Sequence, residues 1–435
     1  MKFEKSSLLR EKAHKLIPGG CHTYAKGDDQ YPELSPAFIV RGKGCHVWDM
    51  DGNEFIEYGM GLRAVTLGHA YEPVVDAAYK QMMLGHNFVR PSPIEVECAD
   101  EFLSMIEGAE MVKFGKNGSD ATNAAVKLAR AYTGRDLIGI CGDHAFFSVD
   151  DWFIGTTAMS AGIPKPIQDL TVKFSYNNLA SVQALFDRYR GQIACLILEP
   201  EKDVAPAGNF LHGLQQVCKK NSAVLIFDEM ITGFRWHNGG GQAFHGVVPD
   251  LSAFGKAMGN GFSIAALAGK GEIMKLGGLD HDKERVFLLS LTHGAENPNL
   301  AAALEVMRIY KREPVVETLW RQGERLAKGI NKAIDELKLH GHFELIGRPC
   351  CMVFATRDQE KNPSQEFRAL FLQELIKRGI LAPSLIVSYS HQESDIDRTV
   401  EGIHESLEVY RQALEQGAAK YLVGRPLKPV FRRFN

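Results

Sequence analysis

The chain has 435 residues, of which 45% are hydrophobic and 24% charged, and its formal net charge is −3 at pH 7. This length exceeds a single ordinary hydrophobic core, so two or more structural domains are expected. The composition is that of a globular protein and provides no basic surface for nucleic acid, so specific nucleic-acid binding is not expected.

The eight cysteines include no C-x-x-C pair and lie mostly in apolar runs. This distribution favours buried thiols over a disulfide framework or a zinc site, and no metal is predicted. The first fifteen residues carry charges throughout and lack the apolar core of a signal peptide. No stretch approaches the roughly eighteen apolar residues of a membrane span. We therefore expect a cytoplasmic protein without a membrane partner.

The first hundred residues alternate between turn signals and periodic apolar stretches. A short amphipathic helix is predicted over residues 6–17, and antiparallel strands are predicted between residues 37 and 58. Apolar residues at helical spacing predict two further helices at about 72–84 and 95–107.

Residues 117–120, with the sequence Asn-Gly-Ser-Asp, precede an alanine-rich stretch that predicts a long helix. The start of a helix offers free N–H groups and the positive end of its dipole, which together suit a phosphate group. The alternative is an ordinary helix cap by Ser119 or Asp120. The spacing of a P-loop is absent, and the residues alone leave both alternatives open.

Two continuous apolar runs each end in an acid, one at Glu199 and the other at Asp228. Such runs predict buried parallel strands, whose carboxyl ends are where open α/β sheets bind ligands. Lys256 follows among small residues, so its amine is available for chemistry, although a snorkelling surface lysine is the alternative. One lysine held beside one aspartate suits pyridoxal phosphate: the lysine forms a Schiff base and the carboxylate keeps the pyridine nitrogen protonated.

Three separated motifs, at residues 117–122, 228–235 and 254–257, resemble the class III aminotransferases, which are pyridoxal-phosphate enzymes of fold type I. Within that family the chain resembles the glutamate-1-semialdehyde aminomutases. The resemblance implies an α/β fold with a mainly parallel sheet in a large domain, residues 61–305. It also implies a smaller α+β domain formed by the two chain ends, residues 1–60 and 306–435, and a homodimer with shared active sites.

The resemblance also implies roles for single residues. Gly118 and Ser119 take the cofactor phosphate, and Glu199 lies beside the cofactor. Thr292 is on a loop that reaches the phosphate of the neighbouring subunit. The alternatives for Thr292 are a cap of the following helix or a plain loop hydroxyl.

Relatives carry an aromatic residue, a histidine and a glycine where this chain has Asp143, His144 and Ala145. The ring of the cofactor is then covered by His144, Phe146 or Phe147, or else His144 is a hydrogen-bonded core histidine. Composition further predicts that the glycine-rich residues 236–242 form a mobile loop.

Arg63 stands on a loop that lines the substrate pocket in the family, and it suits an anionic substrate group unless it forms only a surface salt bridge. Lys26 stands where the aminomutases have a carboxylate-binding arginine, and a lysine cannot form the same two-pronged contact. We therefore expect an aminotransferase that moves an amino group from an amino donor to a keto or aldehyde acceptor, such as a keto-sugar or a cyclic keto-acid. The alternatives are the intramolecular amine shift of glutamate-1-semialdehyde and a non-catalytic binding protein with this fold.

Overall fold

The structure, a computed structural model, describes residues 1–434. The chain divides into two compact units, one formed by Met1–Tyr71 together with the chain from Glu317 onward and the other by Glu72–Val316. The domain boundaries predicted from the sequence, which follow residues 60 and 305, stay a proposal.

The helices are α1 (Glu4–Leu16), α2 (Met60–Arg63), α3 (Glu72–Met82), α4 (Pro93–Leu103), α5 (Gly118–Thr133), α6 (Asp151–Ile154), α7 (Lys165–Gln168), α8 (Leu179–Arg188), α9 (Phe210–Lys220), α10 (Gly240–His245), α11 (Gly271–Met274), α12 (Asn297–Arg312), α13 (Val315–Glu336), α14 (Gln365–Lys377) and α15 (Glu393–Gln416).

The strands are β1 (Ile39–Lys43), β2 (His46–Asp49), β3 (Glu54–Glu57), β4 (Met111–Gly115), β5 (Leu137–Cys141), β6 (Thr171–Phe174), β7 (Ile193–Leu198), β8 (Val224–Asp228), β9 (Leu251–Phe254), β10 (Ala265–Gly269), β11 (Phe343–Arg348), β12 (Cys351–Thr356) and β13 (Ile380–Leu381).

The unit Glu72–Val316 is built on a seven-stranded sheet with the order β4-β10-β9-β8-β7-β5-β6. The strands from β9 to β6 are parallel, while β10 runs antiparallel to both β9 and β4. Every residue of β5, β7, β8 and β9 is buried, because helices cover both faces of a sheet of this kind. The sheet therefore brings the carboxyl ends of β5, β7, β8 and β9 to one edge.

The other unit contains a four-stranded sheet with the order β1-β2-β3-β13 and a separate hairpin of β11 and β12. The antiparallel pairing of β1, β2 and β3 confirms the strands predicted between residues 37 and 58. The predicted helices at 72–84 and 95–107 are likewise present, as α3 and α4, in the unit Glu72–Val316. The large, mainly parallel sheet and the smaller mixed unit confirm the predicted fold class.

The one-turn helix α2 is left-handed. Its residues Met60, Gly61, Leu62 and Arg63 have φ values of 42°, 59°, 59° and 69°. The turn is closed by a hydrogen bond from the N–H of Arg63 to the carbonyl of Gly59, at 2.9 Å. Each residue with a side chain in this conformation costs roughly 1–2 kcal/mol, so α2 stores backbone strain. The sequence predicted only a loop here.

Among residues 1–434, every helix is too short or too polar to cross a membrane.

Candidate active site

Asp228 is the last residue of β8, as predicted, and its side chain is only 3% exposed. Its Oδ1 atom accepts the N–H of Met230 at 3.0 Å. Burial raises the pKa of Asp228 to about 6, and the neighbouring Glu229 adds to this rise, while the charge of Lys256 and the Met230 N–H act in the opposite direction. A carboxylate in such a place is stabilised by a further positive partner.

Lys256 follows β9 directly and begins a short 3₁₀ turn, Lys256–Gly259. Strands β8 and β9 are parallel neighbours, and the register sets Asp228 opposite Ala253, three residues before the lysine. Lys256 has a φ of 45°, an uncommon value for a residue with a side chain. Backbone strain of this kind is common at functional sites. The positive φ also turns the chain away from β9 at the lysine.

The N-terminus of α5 begins at Gly118, after the N-cap residue Asn117. The alternative of a cap is present in part: Ser119 is not the cap, but the Asp120 carboxylate accepts the N–H of Asn117 at 2.8 Å and completes a capping box with it. The N–H groups of Gly118 and Ser119 belong to the first turn, which has no helical carbonyl to bind them. The Ser119 hydroxyl oxygen accepts the N–H of Val149 at 3.1 Å, which ties this helix end to the loop after β5.

Met230 packs between two of the predicted motifs. A Cβ atom added at Gly118 would lie 2.9 Å from the Met230 sulfur, and one added at Gly255 would lie 2.7 Å from the same atom. The glycines therefore allow the start of α5 and the segment before Lys256 to approach the turn after Asp228. No local pattern indicated this role for Met230, because the contacts join residues that are distant in sequence.

His144 and Glu199 meet at the ends of β5 and β7. The Nδ1 atom of His144 accepts the N–H of Glu199 at 3.1 Å, and the ring lies 5.0 Å from that of Tyr176 between centroids. Burial, with a smaller effect of Lys202, lowers the pKa of His144 to about 3. The imidazole is therefore neutral at pH 7, and it carries its proton on Nε2 because Nδ1 is an acceptor. Its role in covering the cofactor ring stays a prediction.

Phe146 and Phe147, the aromatic alternatives for covering the cofactor ring, differ in exposure. Phe147 is buried and packs edge-on against Phe153, with 5.6 Å between centroids, whereas Phe146 is 45% exposed. Asp143 accepts the N–H of Tyr176 at 2.7 Å through its side chain, so it organises the loop after β5 instead of offering an aromatic face.

The prediction of a mobile loop at residues 236–242 is wrong. Gly240 and Gly241 are buried and begin α10, and the carboxylate of Glu229 accepts the N–H groups of Gly241 and Gln242, each at 2.7 Å. A Cβ atom on Gly240 would lie 2.7 Å from this carboxylate, so the glycines serve close approach.

Glu229 was missed as a site residue, although its position directly after Asp228 was a signal. It also accepts a hydrogen bond from the Thr232 hydroxyl. Burial raises the pKa of Glu229 to about 7 in spite of these donors. The carboxylate thus fixes the turn that leaves β8 and, with it, the backbone that holds Asp228.

Thr292 lies in the exposed loop before α12, and its carbonyl accepts a hydrogen bond from the Asn87 side chain at 3.1 Å. The N-cap of α12 is Glu296, so the alternative that Thr292 caps this helix is wrong. Thr292 is exposed, and its role toward the cofactor of a second subunit stays a prediction.

Arg63 and Lys26 lie in the other unit. Arg63 is half-buried at the end of the left-handed turn α2, and Lys26 is exposed at the end of a 3₁₀ turn, Tyr24–Lys26. Their roles in substrate binding stay predictions.

The residues of the unit Glu72–Val316 fit pyridoxal phosphate. The buried Asp228 suits a protonated ring nitrogen. Burial destabilises its negative charge, and its raised pKa shows that Lys256 and the Met230 N–H offset this only in part, so a further positive partner would stabilise the carboxylate. The start of α5 suits a phosphate, because the N–H groups of its first turn, at Gly118 and Ser119, have no helical carbonyl to bind.

Comparison with known proteins identifies the class. The profile of the aminotransferase class-III family matches residues 27–405. The chain therefore belongs to the class III aminotransferases, as the three motifs predicted, and it is a pyridoxal-phosphate-dependent enzyme.

Three individual proteins are similar to this chain over most of its length. The glutamate-1-semialdehyde 2,1-aminomutase 2 of Bacillus mycoides (strain KBAB4) is 32% identical over 422 residues, which cover 92% of this chain and 97% of the relative. The FumI protein of Sphingopyxis sp. MTA144, solved in its PLP internal aldimine form, is 27% identical with a TM-score of 0.86, covering 95% of this chain and 98% of that one. An omega-transaminase from Sphaerobacter thermophilus is 25% identical with a TM-score of 0.81, covering 93% and 98% respectively.

Proposed function

We propose that this aminotransferase moves an amino group between two separate molecules, from an amino donor to a keto or aldehyde acceptor, with Lys256 as the reacting amine. The observation that carries the proposal is the register of β8 and β9, which sets the end of β8 at Asp228 beside the segment leading to Lys256. Pyridoxal phosphate, when bound, supplies an electron sink for negative charge at the substrate carbon.

In this proposal the Lys256 amine takes a proton from the substrate carbon and returns it at another position. General acid–base work of this kind typically contributes about 10²- to 10⁴-fold. Asp228 holds its negative charge against the ring nitrogen, and the first-turn N–H groups of Gly118 and Ser119 bind the phosphate. Glu199 and His144 shape the wall of the site through their mutual hydrogen bond.

We further propose that Arg63 binds an anionic group of the acceptor, because its guanidinium offers a fixed fork of donors. The strain of α2 supports this role, since backbone held in an unfavourable conformation is common at functional sites. Lys26 is the second candidate for the same anion. An acceptor of this description includes cyclic keto-acids and anionic keto-sugars.

The intramolecular amine shift of glutamate-1-semialdehyde is the second candidate function. It is favoured by the name of the 32%-identical relative from Bacillus mycoides. Lys26 argues against it, because it replaces the arginine that the resemblance leads us to expect for the substrate carboxylate.

One experiment separates the two candidates. The holoenzyme is incubated with an isotope-labelled amino donor and a panel of keto and aldehyde acceptors, and the products are followed by mass spectrometry. Intermolecular transfer moves the label into an acceptor and converts the donor to its keto form. An aminomutase instead isomerises glutamate-1-semialdehyde to a product of equal mass and leaves the labelled donor unchanged, and that result would reject our first choice.

We also propose that the enzyme is a homodimer. Apolar side chains from the end of α3 to α4 are strongly exposed in the single chain, among them Met83 at 71%, Leu84 at 73% and Val89 at 100%. Contiguous apolar surface of this kind is typical of protein interfaces.

The Thr292 loop adjoins this apolar surface. Asn87 donates its hydrogen bond to the Thr292 carbonyl, and the N–H of Asn297 binds the carbonyl of His86 at 3.1 Å. In a dimer formed through residues 83–89, the Thr292 hydroxyl would therefore be close to the second subunit. This arrangement supports the proposal that each active site receives Thr292 from its neighbour.

A cytoplasmic location is the last part of the proposal. Its support is that all eight cysteines are free thiols, seven of them buried, as in proteins of reducing compartments.

A further inference from the structure

Three potential metal ligands converge in the unit that contains the chain ends. They are the thiol of Cys45, the imidazole of His46 at the start of β2, and the carboxylate of Asp395 in the first turn of α15. The Cys45 sulfur lies 3.3 Å from Asp395 Oδ2, and His46 Nε2 lies 3.1 Å from Asp395 Oδ1. All three ligand atoms lie within 4.8 Å of one another.

These distances are close to those of a metal site. Ligand atoms bound to a tetrahedral zinc ion, at bonds of about 2.0–2.3 Å, lie about 3.6 Å apart. Small side-chain shifts would therefore be enough for all three atoms to bind one ion. Cys45 is 1% exposed, so its sulfur is shielded from bulk water.

Each ligand is held by a further contact. Oε1 of Glu54 lies 2.8 Å from His46 Nδ1, the ring nitrogen that faces away from the cluster. Carboxylates in this position commonly orient metal-binding histidines. Asp395 accepts the N–H of Gln392 at 2.9 Å, and the Cys45 carbonyl accepts the N–H of Glu57 at 2.8 Å. The ligands are thus anchored on β3 and on the N-terminal turn of α15.

The charges balance when a dication enters. The carboxylates of Glu54 and Asp395 offset the charge of the ion. The Cys45 thiol releases its proton to water as the sulfur binds the ion, and nothing is oxidised or reduced.

From this geometry we propose that Cys45, His46 and Asp395 bind a transition-metal dication of the zinc class, with a fourth position open to water. A thiolate and an imidazole favour such an ion over magnesium or calcium, which prefer oxygen ligands. No metal was expected from the sequence, and this proposal differs from that expectation. Residues 45 and 395 are too far apart in the sequence to form a recognisable motif of metal-ligand spacing. It is independent of Lys256 and of the proposed function.

The competing explanation is a cluster held by hydrogen bonds alone. Burial, and then the charge of Asp395, raise the pKa of the Cys45 thiol well above its usual value, so the thiol keeps its proton unless a metal displaces it. The two explanations differ in what happens when zinc is supplied.

The test uses the full chain with its cofactor, treated with a chelator and then dialysed against zinc chloride. The variants are Cys45→Ser and, as a matched control, Cys21→Ser, whose thiol donates to the Thr23 carbonyl and lies outside the proposed ligand set. We expect wild type and Cys21→Ser to retain one more equivalent of zinc than Cys45→Ser. Cobalt in place of zinc should give a thiolate charge-transfer band that Cys45→Ser lacks. Equal zinc uptake by all three proteins, or no such band in wild type, overturns the proposal.

A second variant keeps the test decisive if Cys45→Ser fails to fold. Glu54 is half-exposed and lies outside the ligand set, so Glu54→Gln should fold normally. Loss of such an orienting carboxylate typically weakens metal affinity about 10- to 100-fold. A zinc affinity identical to that of wild type would contradict the assignment.

Discussion

At the scale of single residues, Asp228 is a buried acid whose raised pKa indicates that a further positive partner would stabilise its charge. Replacing it by asparagine keeps the shape of the side chain but removes the charge that can balance a protonated ring nitrogen. We expect Asp228→Asn to retain its fold and to lose at least about tenfold in kcat, equivalent to about 1.4 kcal/mol.

Steady-state kinetics with the donor and acceptor found by the labelling experiment measure this loss. The matched control is Asp143→Asn, which changes an exposed acid on the loop after β5. If Asp228→Asn turns over as fast as wild type, the aspartate does not face the ring nitrogen.

Glu229 leads to a prediction about stability and pH. Its folded-state pKa of about 7 lies above the ordinary value of 4.5, so the folded protein holds this proton more tightly than the unfolded chain does. The stability that it contributes is present below about pH 4.5 and is lost as the pH rises through about 7. A shift of this size corresponds to about 3 kcal/mol.

Glu229→Gln cannot titrate and therefore isolates this effect. In denaturant unfolding of the cofactor-free proteins, the stability advantage of wild type over Glu229→Gln should shrink as the pH rises from about 4.5 to about 7. A difference that stays constant over this window, or that grows, would show that Glu229 does not take up a proton on folding.

At the scale of elements, α2 combines three residues with side chains in a left-handed turn. In a right-handed helix or a strand, glycine in place of alanine lowers the stability of the protein by roughly 0.5–1 kcal/mol. In a left-handed turn the order reverses, because the Cβ atom of alanine lies too close to the backbone. We therefore expect Leu62→Gly to be more stable than Leu62→Ala by about 1 kcal/mol.

Both Leu62 variants lose the same partly buried side chain, so each serves as the control for the other. Thermal or denaturant unfolding measures the difference. A Leu62→Ala protein that equals or exceeds Leu62→Gly in stability would mean that residue 62 is not left-handed in solution.

The sequence predicted the elements whose signals are local. Continuous apolar runs ending in an acid correctly indicated the strands β7 and β8, because full burial leaves that pattern in the residues themselves. The start of α5 was found because alanine-rich sequence follows a polar turn.

Other features depend on contacts between distant residues. Gly240 and Gly241 have the composition of a mobile loop, and only the nearby carboxylate of Glu229 makes them a buried helix start. The left-handed turn at Leu62 contradicts the preference of leucine, so local propensity could not indicate it. The approach of Met230 to Gly118 and Gly255 likewise depends on the order of the strands in the folded sheet, which no local sequence pattern indicates.

At the scale of the whole molecule, the exposed apolar residues near the end of α3 predict the oligomeric state. We expect wild type to be a dimer by light scattering and Met83→Lys to be largely monomeric, because a lysine there would bury a charge in the interface. Val204→Lys changes a residue of the same unit that is 61% exposed, and it should stay dimeric. A dimeric Met83→Lys protein, or a monomeric wild type, would place the interface elsewhere or remove it.

The central claim is that this class III aminotransferase holds its cofactor through Lys256, beside Asp228. The most direct measurement is borohydride reduction of the holoenzyme followed by proteolysis and mass mapping of the pyridoxyl label. The account predicts the label on the peptide that contains Lys256 and its absence from a correctly folded Lys256→Ala protein. Label on a different lysine of the wild-type enzyme would contradict it.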